Sequence, residues 1–237
     1  MHFVGFSARA TGFLAELSQN NAPEWFAAHR EEYEKFLLDP ARAFVEELGA
    51  RLREVDPKVH GVPRVHGSIK ALERRRLYPG RASPPFKTSL DLIFWSGPKR
   101  AWDSSCFFVR LTPASLVLAT GMIEFQKARL ALYREALLDD ARGAELVTIV
   151  GEVRSAGYPV LGERYKRTPP GITPEHPRAA LSKHGGLFAR WEGEPPRELA
   201  TPAFVDFAFA HFARMSPLHA WLAALCARPV RNSTESR

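Results

Sequence analysis

Three runs in the middle of the chain constrain its fold most: Ser89–Ser96 (SLDLIFWS), Cys106–Thr112 (CFFVRLT) and Ser115–Met122 (SLVLATGM). Their aliphatic, β-branched and aromatic content is that of strands. The segment GPKRAWDSS joins the first to the second, and Thr112-Pro113-Ala114 turns the second into the third. Connections this short leave no room for a crossover helix, so the three strands form an antiparallel meander.

Helical signals flank the meander. Phe13, Leu14 and Leu17 predict a helix over Thr11–Asn20, broken at Asn20-Asn21. A second helix has Pro23 at its first position and Glu24 in its first turn. Trp25, Phe26, His29, Tyr33 and Phe36 share one stripe of it. Trp25 is therefore expected to be largely buried. Asp39-Pro40 ends this helix and opens a third, which Asp56-Pro57 closes. Val65–Leu72 is ambiguous between strand and short helix, and Leu77–Pro85 is a loop by its three prolines and glycine. Glu124–Leu138 and Asp140–Ala156 read as helices, and Gly157–Pro170 as irregular. Pro177–Lys183 suits a short helix and Leu187–Trp191 a late strand. Pro202–Met215 and Pro217–Ala227 are two further helices, each opened by a proline after Thr or Ser. The fold class is α+β, an antiparallel β-meander packed against N-terminal and C-terminal helices. Residues 1–230 form a single domain and 231–237 a disordered polar tail.

The chain has 237 residues, 45% of them hydrophobic and 25% charged, enough to bury a core. No apolar window is long enough for a membrane span, and the N-terminus lacks the pattern of a signal peptide. The two cysteines, Cys106 and Cys226, read as small buried hydrophobes rather than a disulfide. A cytoplasmic location is the expectation.

Charge is concentrated in His60–Arg110. Ten bases (Arg64, Lys70, Arg74, Arg75, Arg76, Arg81, Lys87, Lys99, Arg100, Arg110) stand there against three acids (Glu73, Asp91, Asp103). That excess of seven equals the net charge of the whole protein. Arginine outnumbers lysine 25 to 8 along the chain, partly a composition bias that lowers the weight of any one arginine. The run Arg74-Arg75-Arg76 points either to a solvated edge strand or to an anion site. Phe86, Phe94, Trp95 and Trp102 interleave with the bases, which suits nucleobase stacking but more commonly marks core.

Motifs that name a reaction are missing. Gly61–Gly67 followed by Ser68 has the wrong spacing for a P-loop and lacks its lysine. Ser96-Gly97-Pro98-Lys99 follows a strand, with a proline inside it, where a Ser–Lys nucleophile needs a helix start. The eight histidines show no His-Glu-x-x-His pattern, so no metal and no cofactor are expected.

Three segments carry a family resemblance. The first is Phe13-Leu14-x-x-Leu17-x-x-Asn20-Asn21-x-x-x-Trp25-Phe26-x-x-x-Arg30-x-x-Tyr33-Glu34. The second is Pro85-Phe86-Lys87-Thr88 running into Phe94-Trp95. The third is Leu161-Gly162-Glu163-x-x-Lys166-Arg167-x-Pro169-x-Gly171 followed by His176-Pro177. Together they resemble the bacterial and fungal Domain of Unknown Function 2461, over nearly the whole chain. The resemblance implies a soluble α+β domain and brings no established activity, substrate or cofactor. The family usually shows Arg-Asp, Arg-Phe and a Ser-x-Asp-Lys turn before the Pro-Phe-Lys-Thr element. Here Glu73-Arg74-Arg75-Arg76-Leu77 and Tyr78–Ser83 stand instead, so chemistry that relatives do with those acids is in doubt. Arg76, Lys87, Glu163, Lys166 and Arg167 are the matching charged positions that remain.

Function is therefore read as binding of an anionic ligand, a phosphate-bearing metabolite or nucleic acid, through a basic surface. Its candidate residues are Arg74, Arg75, Arg76, Arg81, Lys87, Lys166 and Arg167, with Trp25 and Glu163 as further candidates. Two alternatives stand beside it. One is an enzyme with Glu163 beside Lys166 and Arg167, although cations around a carboxylate hold it ionised and suit neither a general acid nor a strong base. The other is an interaction protein that docks an acidic partner. Glu163, in either case, is expected to pair with a cation.

Overall fold

The computed structural model describes residues 2–74, 84–98 and 103–229. Arg75, Arg76 and Arg81 and the tail 231–237 lie outside the described residues. The fold is α+β. Helices α1 (Ala8–Gln19), α2 (Pro23–Ala28) and α3 (Arg30–Glu32) open the chain, followed by a turn of π-helix (Tyr33–Leu38) and α4 (Asp39–Leu52). The break expected at Asp39-Pro40 is absent. Pro40 has no N–H to give the Phe36 carbonyl, and a wider helical turn directly before it absorbs the mismatch.

The strands are β1 (Val59–His60), β2 (Leu90–Ser96), β3 (Cys106–Leu111), β4 (Leu116–Met122), β5 (Val160–Glu163) and β6 (His184–Gly193). They make one antiparallel sheet in the order β1-β2-β3-β4-β6-β5. The three apolar runs are thus neighbouring strands, as the short connections require. Thr112 closes the β3–β4 turn, its N–H donating to the Ser115 carbonyl at 2.9 Å. Helices α5 (Lys127–Leu138) and α6 (Asp140–Ser155) precede β5, α7 (Ala179–Ser182) precedes β6, and α8 (Phe204–Ala227) ends the described chain after a 3-10 turn at Arg197–Ala200.

Three further readings of the sequence change. Val65–Leu72 is neither strand nor helix but a loop pinned by single bridges, Val65 to Ile69 and Ile69 to Leu92. The stretch read as irregular, Gly157–Pro170, contains the edge strand β5. Its pairing with β6 is interrupted between Leu161 and Glu163, where Gly162 takes φ +117°. A Cβ there would lie 2.2 Å from the Gly186 carbonyl oxygen, so glycine is required twice over. Finally, the two C-terminal helices are one. Pro217 leaves the Ala213 carbonyl without its backbone donor, and the Ser216 hydroxyl donates to that oxygen at 2.8 Å instead.

The chain clusters into two compact units. One comprises Met1–Phe94, Phe108–Leu118 and Glu192–His211; the other comprises Trp95–Phe107, Ala119–Trp191 and Phe212–Arg237. In the first, Phe3, Phe6, Phe44 and Phe204 pack as an aromatic core with centroids 4.9–6.5 Å apart. Helix α4 lies against the sheet where Gly49 faces Gly61, close enough that a Cβ on Gly49 would stand 3.2 Å from the Gly61 Cα. In the second, Phe107 of β3 packs on Phe212 and stacks on His219 of α8 at 4.2 Å. Tyr133 is fully buried there, its hydroxyl donating to the Leu181 carbonyl at 2.9 Å, and burial raises its pKa. Arg129, 1% exposed, donates to the Leu225 carbonyl at 2.8 Å near the end of α8. Its charge faces Asp103 at 3.7 Å. Cys106 and Cys226 are both buried and free.

Candidate functional site

In the first unit the Pro85-Phe86-Lys87 segment is held from both edges. Along one edge it pairs antiparallel with Leu72–Arg74: Glu73 bridges Phe86, Lys87 N–H donates to the Leu72 carbonyl at 2.8 Å, and Arg74 N–H donates to the Pro85 carbonyl at 2.7 Å. Along the other, the Asn21 side chain stands in for a third strand. Its amide oxygen accepts from Phe86 N–H at 2.9 Å and its amide nitrogen donates to the Phe86 carbonyl at 3.0 Å. The Phe86 ring stacks on Phe26 at 4.4 Å. Two separate stretches of sequence, Asn20–Phe26 and Pro85–Thr88, therefore meet at one residue.

Asp91 sits close by on β2 and is 5% exposed. Its Oδ1 accepts from the Ser89 hydroxyl at 3.0 Å and Arg110 Nε at 2.7 Å. Its Oδ2 accepts from Arg110 Nη2 at 3.0 Å and Lys87 Nζ at 3.3 Å. Burial pushes the Asp91 carboxyl up, but the hydrogen bond from Arg110, the charges of Lys87 and Arg110 and the Ser89 hydroxyl together outweigh it, and its pKa lies below the usual range. Four donors fill the carboxylate, so Asp91 is a fixed counter-ion and not a proton acceptor. The cations are less enclosed: the Lys87 side chain is 22% exposed and that of Arg110 46%. Ammonium protons of Lys87 and the free Nη1 of Arg110 remain for a further acceptor.

The predicted residues fall as follows. Arg74 and Lys87 flank the Phe86 segment, and Arg74 Nε also reaches the Phe86 carbonyl at 3.4 Å. Trp25, expected to be largely buried, is half-buried: it stacks on His29 at 4.0 Å and leans on Phe13 at 5.6 Å. The six-residue helix α2 is too short for its whole aromatic stripe to reach the core. His29 Nδ1 donates to the Trp25 carbonyl at 2.8 Å, since a carbonyl can only accept. Of the ten bases in His60–Arg110, Lys87 and Arg110 are tied to Asp91, so part of the positive field is cancelled locally.

Glu163, Lys166 and Arg167 belong to the second unit, and all three are exposed. The cation pairing expected of Glu163 is absent: among the described residues no lysine or arginine pairs with it. Its strand position places it opposite His184 in the β5–β6 ladder, and the adjacent Arg164 turns to Glu124 at 2.7 Å. His184 is 4% exposed; burial lowers its pKa, against the Ala180 carbonyl and the Glu163 charge. No group of three or more His, Cys, Asp or Glu placed to hold a metal ion occurs among the described residues. No helix among them is long and apolar enough to cross a membrane.

Sequence reasoning placed none of Asn21, Asp91 and Arg110 in the candidate site. The signal for Asp91 was its place in an apolar strand, where a lone carboxylate almost always has partners.

Residues 9–221 match the model of a family described as Conserved hypothetical protein (DUF2461). A search of curated proteins returned no match.

Proposed function

Starting from a chain that belongs to the DUF2461 family, we propose that it binds an anionic ligand, a phosphate-bearing metabolite or a nucleic acid, with Lys87 at the centre of the contact. The observation that carries this reading is the sharing at Asp91. One carboxylate neutralises one of two cations, so Lys87 and Arg110 together keep one positive charge in excess. Both are pinned by hydrogen bonds, so little ordering is needed when a ligand arrives. Arg74 lies beside them on the paired segment, and Arg75, Arg76 and Arg81 extend the same basic stretch of sequence. Lys166 and Arg167, candidates by sequence, belong to the second unit and are not needed for a contact centred on Lys87.

Calorimetry with inorganic phosphate, pyrophosphate and a short oligonucleotide at low salt tests it. Lys87→Met should weaken the tightest of these about ten- to a hundredfold, the worth of one charge-assisted hydrogen bond. Absence of binding by all three, or affinity unchanged in Lys87→Met, would remove Lys87 from any such site.

A further inference from the structure

The second unit has a surface that its own fold leaves unfinished. Ile123 is 56% exposed, Leu138 44% and Tyr165 40%, three of the large hydrophobic side chains that folding has not covered. Contacts of their neighbours bring them together. Arg164 Nη1 pairs with Glu124, the residue after Ile123, and Arg164 Nη2 reaches the Ile123 carbonyl at 3.4 Å. Tyr165 follows Arg164 directly, and Arg134 of α5 lies 5.0 Å over the Tyr165 ring. Leu138 is one helical turn beyond Arg134 on α5. Lys166 and Arg167 continue the chain from Tyr165, exposed. No described carboxylate pairs with Arg134, Lys166 or Arg167.

From this juxtaposition we infer that the Ile123–Tyr165–Leu138 surface is a docking site for an acidic segment of a partner protein, one whose carboxylates alternate with apolar side chains. Charge decides the sign of the partner. Arg134, Lys166 and Arg167 have no acid of their own here, and buried or half-buried arginine needs an anion opposite it in a tight interface. The aliphatic groups decide its class. Nucleic-acid phosphates gain little from covering Ile123 and Leu138, whereas an apolar side chain is taken out of water there. Aromatic and arginine side chains together at a surface are also the composition of protein interface hot spots. Glu124 and Glu163 at the margin weigh against an extended polyanion, which cannot place its charges to avoid them, and not against a peptide with a fixed pattern. The ring of Tyr165 is already oriented by Arg134, so its burial would cost little further ordering. This inference rests on the second unit alone and does not require a ligand at Lys87.

Fluorescence anisotropy with two labelled peptides tests it: one a run of Glu, the other the same run with every third residue Phe. The Phe-bearing peptide should bind at least about tenfold tighter than the all-Glu peptide. Tyr165→Ala should abolish that difference, and Tyr165→Phe should keep it, which separates ring contact from any loss of folding. Lys166→Glu should weaken both peptides about tenfold more than the charge-matched Lys58→Glu. Equal affinity for the two peptides, no binding of either, or affinity untouched by Tyr165→Ala and Lys166→Glu would overturn the assignment. A preference for an oligonucleotide or for phosphatidylserine vesicles over the Phe-bearing peptide would overturn it as well.

Discussion

Asp91 shows how much of a site can rest on one side chain. Its carboxylate is buried, takes four hydrogen bonds and holds two cations from different parts of the chain, Lys87 before its strand and Arg110 on the next. Asn is nearly the same shape but carries no charge and replaces one acceptor by a donor. Asp91→Asn should therefore destabilise the protein by about 1–3 kcal/mol, the cost of disturbing a buried hydrogen-bonded group. The pH dependence has a definite sign. The folded carboxyl has a lowered pKa, so its stabilisation is fully present above the ordinary value of about 3.9 and fades as the pH falls through that value toward the lower folded one. Melting temperatures of wild type and Asp91→Asn should differ by a constant amount at neutral pH and converge on acidification below about pH 4. A gap that stayed the same at low pH would mean that packing, not charge, distinguishes the two. Composition alone hid this. Counting bases against acids over His60–Arg110 treats Asp91 as one charge among thirteen, whereas it is buried and holds two of those bases at once. The half-burial of Trp25 was hidden for a related reason: a helical stripe says which residues share a face, not how far that face reaches into the core.

At the scale of elements, composition and turn chemistry carried most of the fold. The β2–β4 meander, α1, α5 and α6 lie within a few residues of where apolar spacing puts them. What failed was punctuation. Pro40 and Pro217 read as boundaries, yet a π turn in one case and the Ser216 hydroxyl in the other let the helix run through. β5 was missed because a four-residue edge strand with a glycine bulge has no periodicity to detect. Likewise, no local pattern reveals that Asn21, a helix breaker by sequence, reaches 65 residues along the chain to complete the hydrogen bonds of Phe86. That contact yields a graded prediction. Asn21→Ala leaves both the N–H and the carbonyl of Phe86 without a partner and should cost about 1–3 kcal/mol. Asn21→Asp keeps an acceptor for the N–H but sets a carboxylate against the Phe86 carbonyl, so it should destabilise too. Asn21→Gln, with the same groups on a longer stem, should not rescue. Denaturant midpoints of the three variants measure this, and a neutral Asn21→Ala would show that water replaces the side chain without loss.

For the whole molecule the decisive quantity is where the net charge of +7 acts. Sequence shows that the excess arises in His60–Arg110, but not how much of it is already cancelled. Among the described bases of that stretch, Lys87 and Arg110 share Asp91, while Arg74 bonds only to a carbonyl. If the stretch binds a polyanion, each phosphate neutralised releases condensed counter-ions, and log affinity falls with log salt at about −0.7 to −0.9 per contact. Four or five contacts give a slope near −3 to −4 by that rule. The two kinds of base should then separate experimentally. Replacing Arg74, Arg75 and Arg76 together by Ala removes three cations and should flatten the slope by up to about three. Lys87→Met removes a cation that Asp91 already half neutralises and leaves that carboxylate to Arg110 alone, so its effect on the slope should be under about one. Asp91→Asn makes the opposite change, freeing both cations, and should steepen the slope. A salt titration of binding to single- and double-stranded oligonucleotides and to heparin, run on all three variants, orders them. An unchanged slope in the triple arginine variant would place the polyanion on another face, and a flatter slope in Asp91→Asn would mean that this carboxylate orients the cations a phosphate needs instead of competing with it.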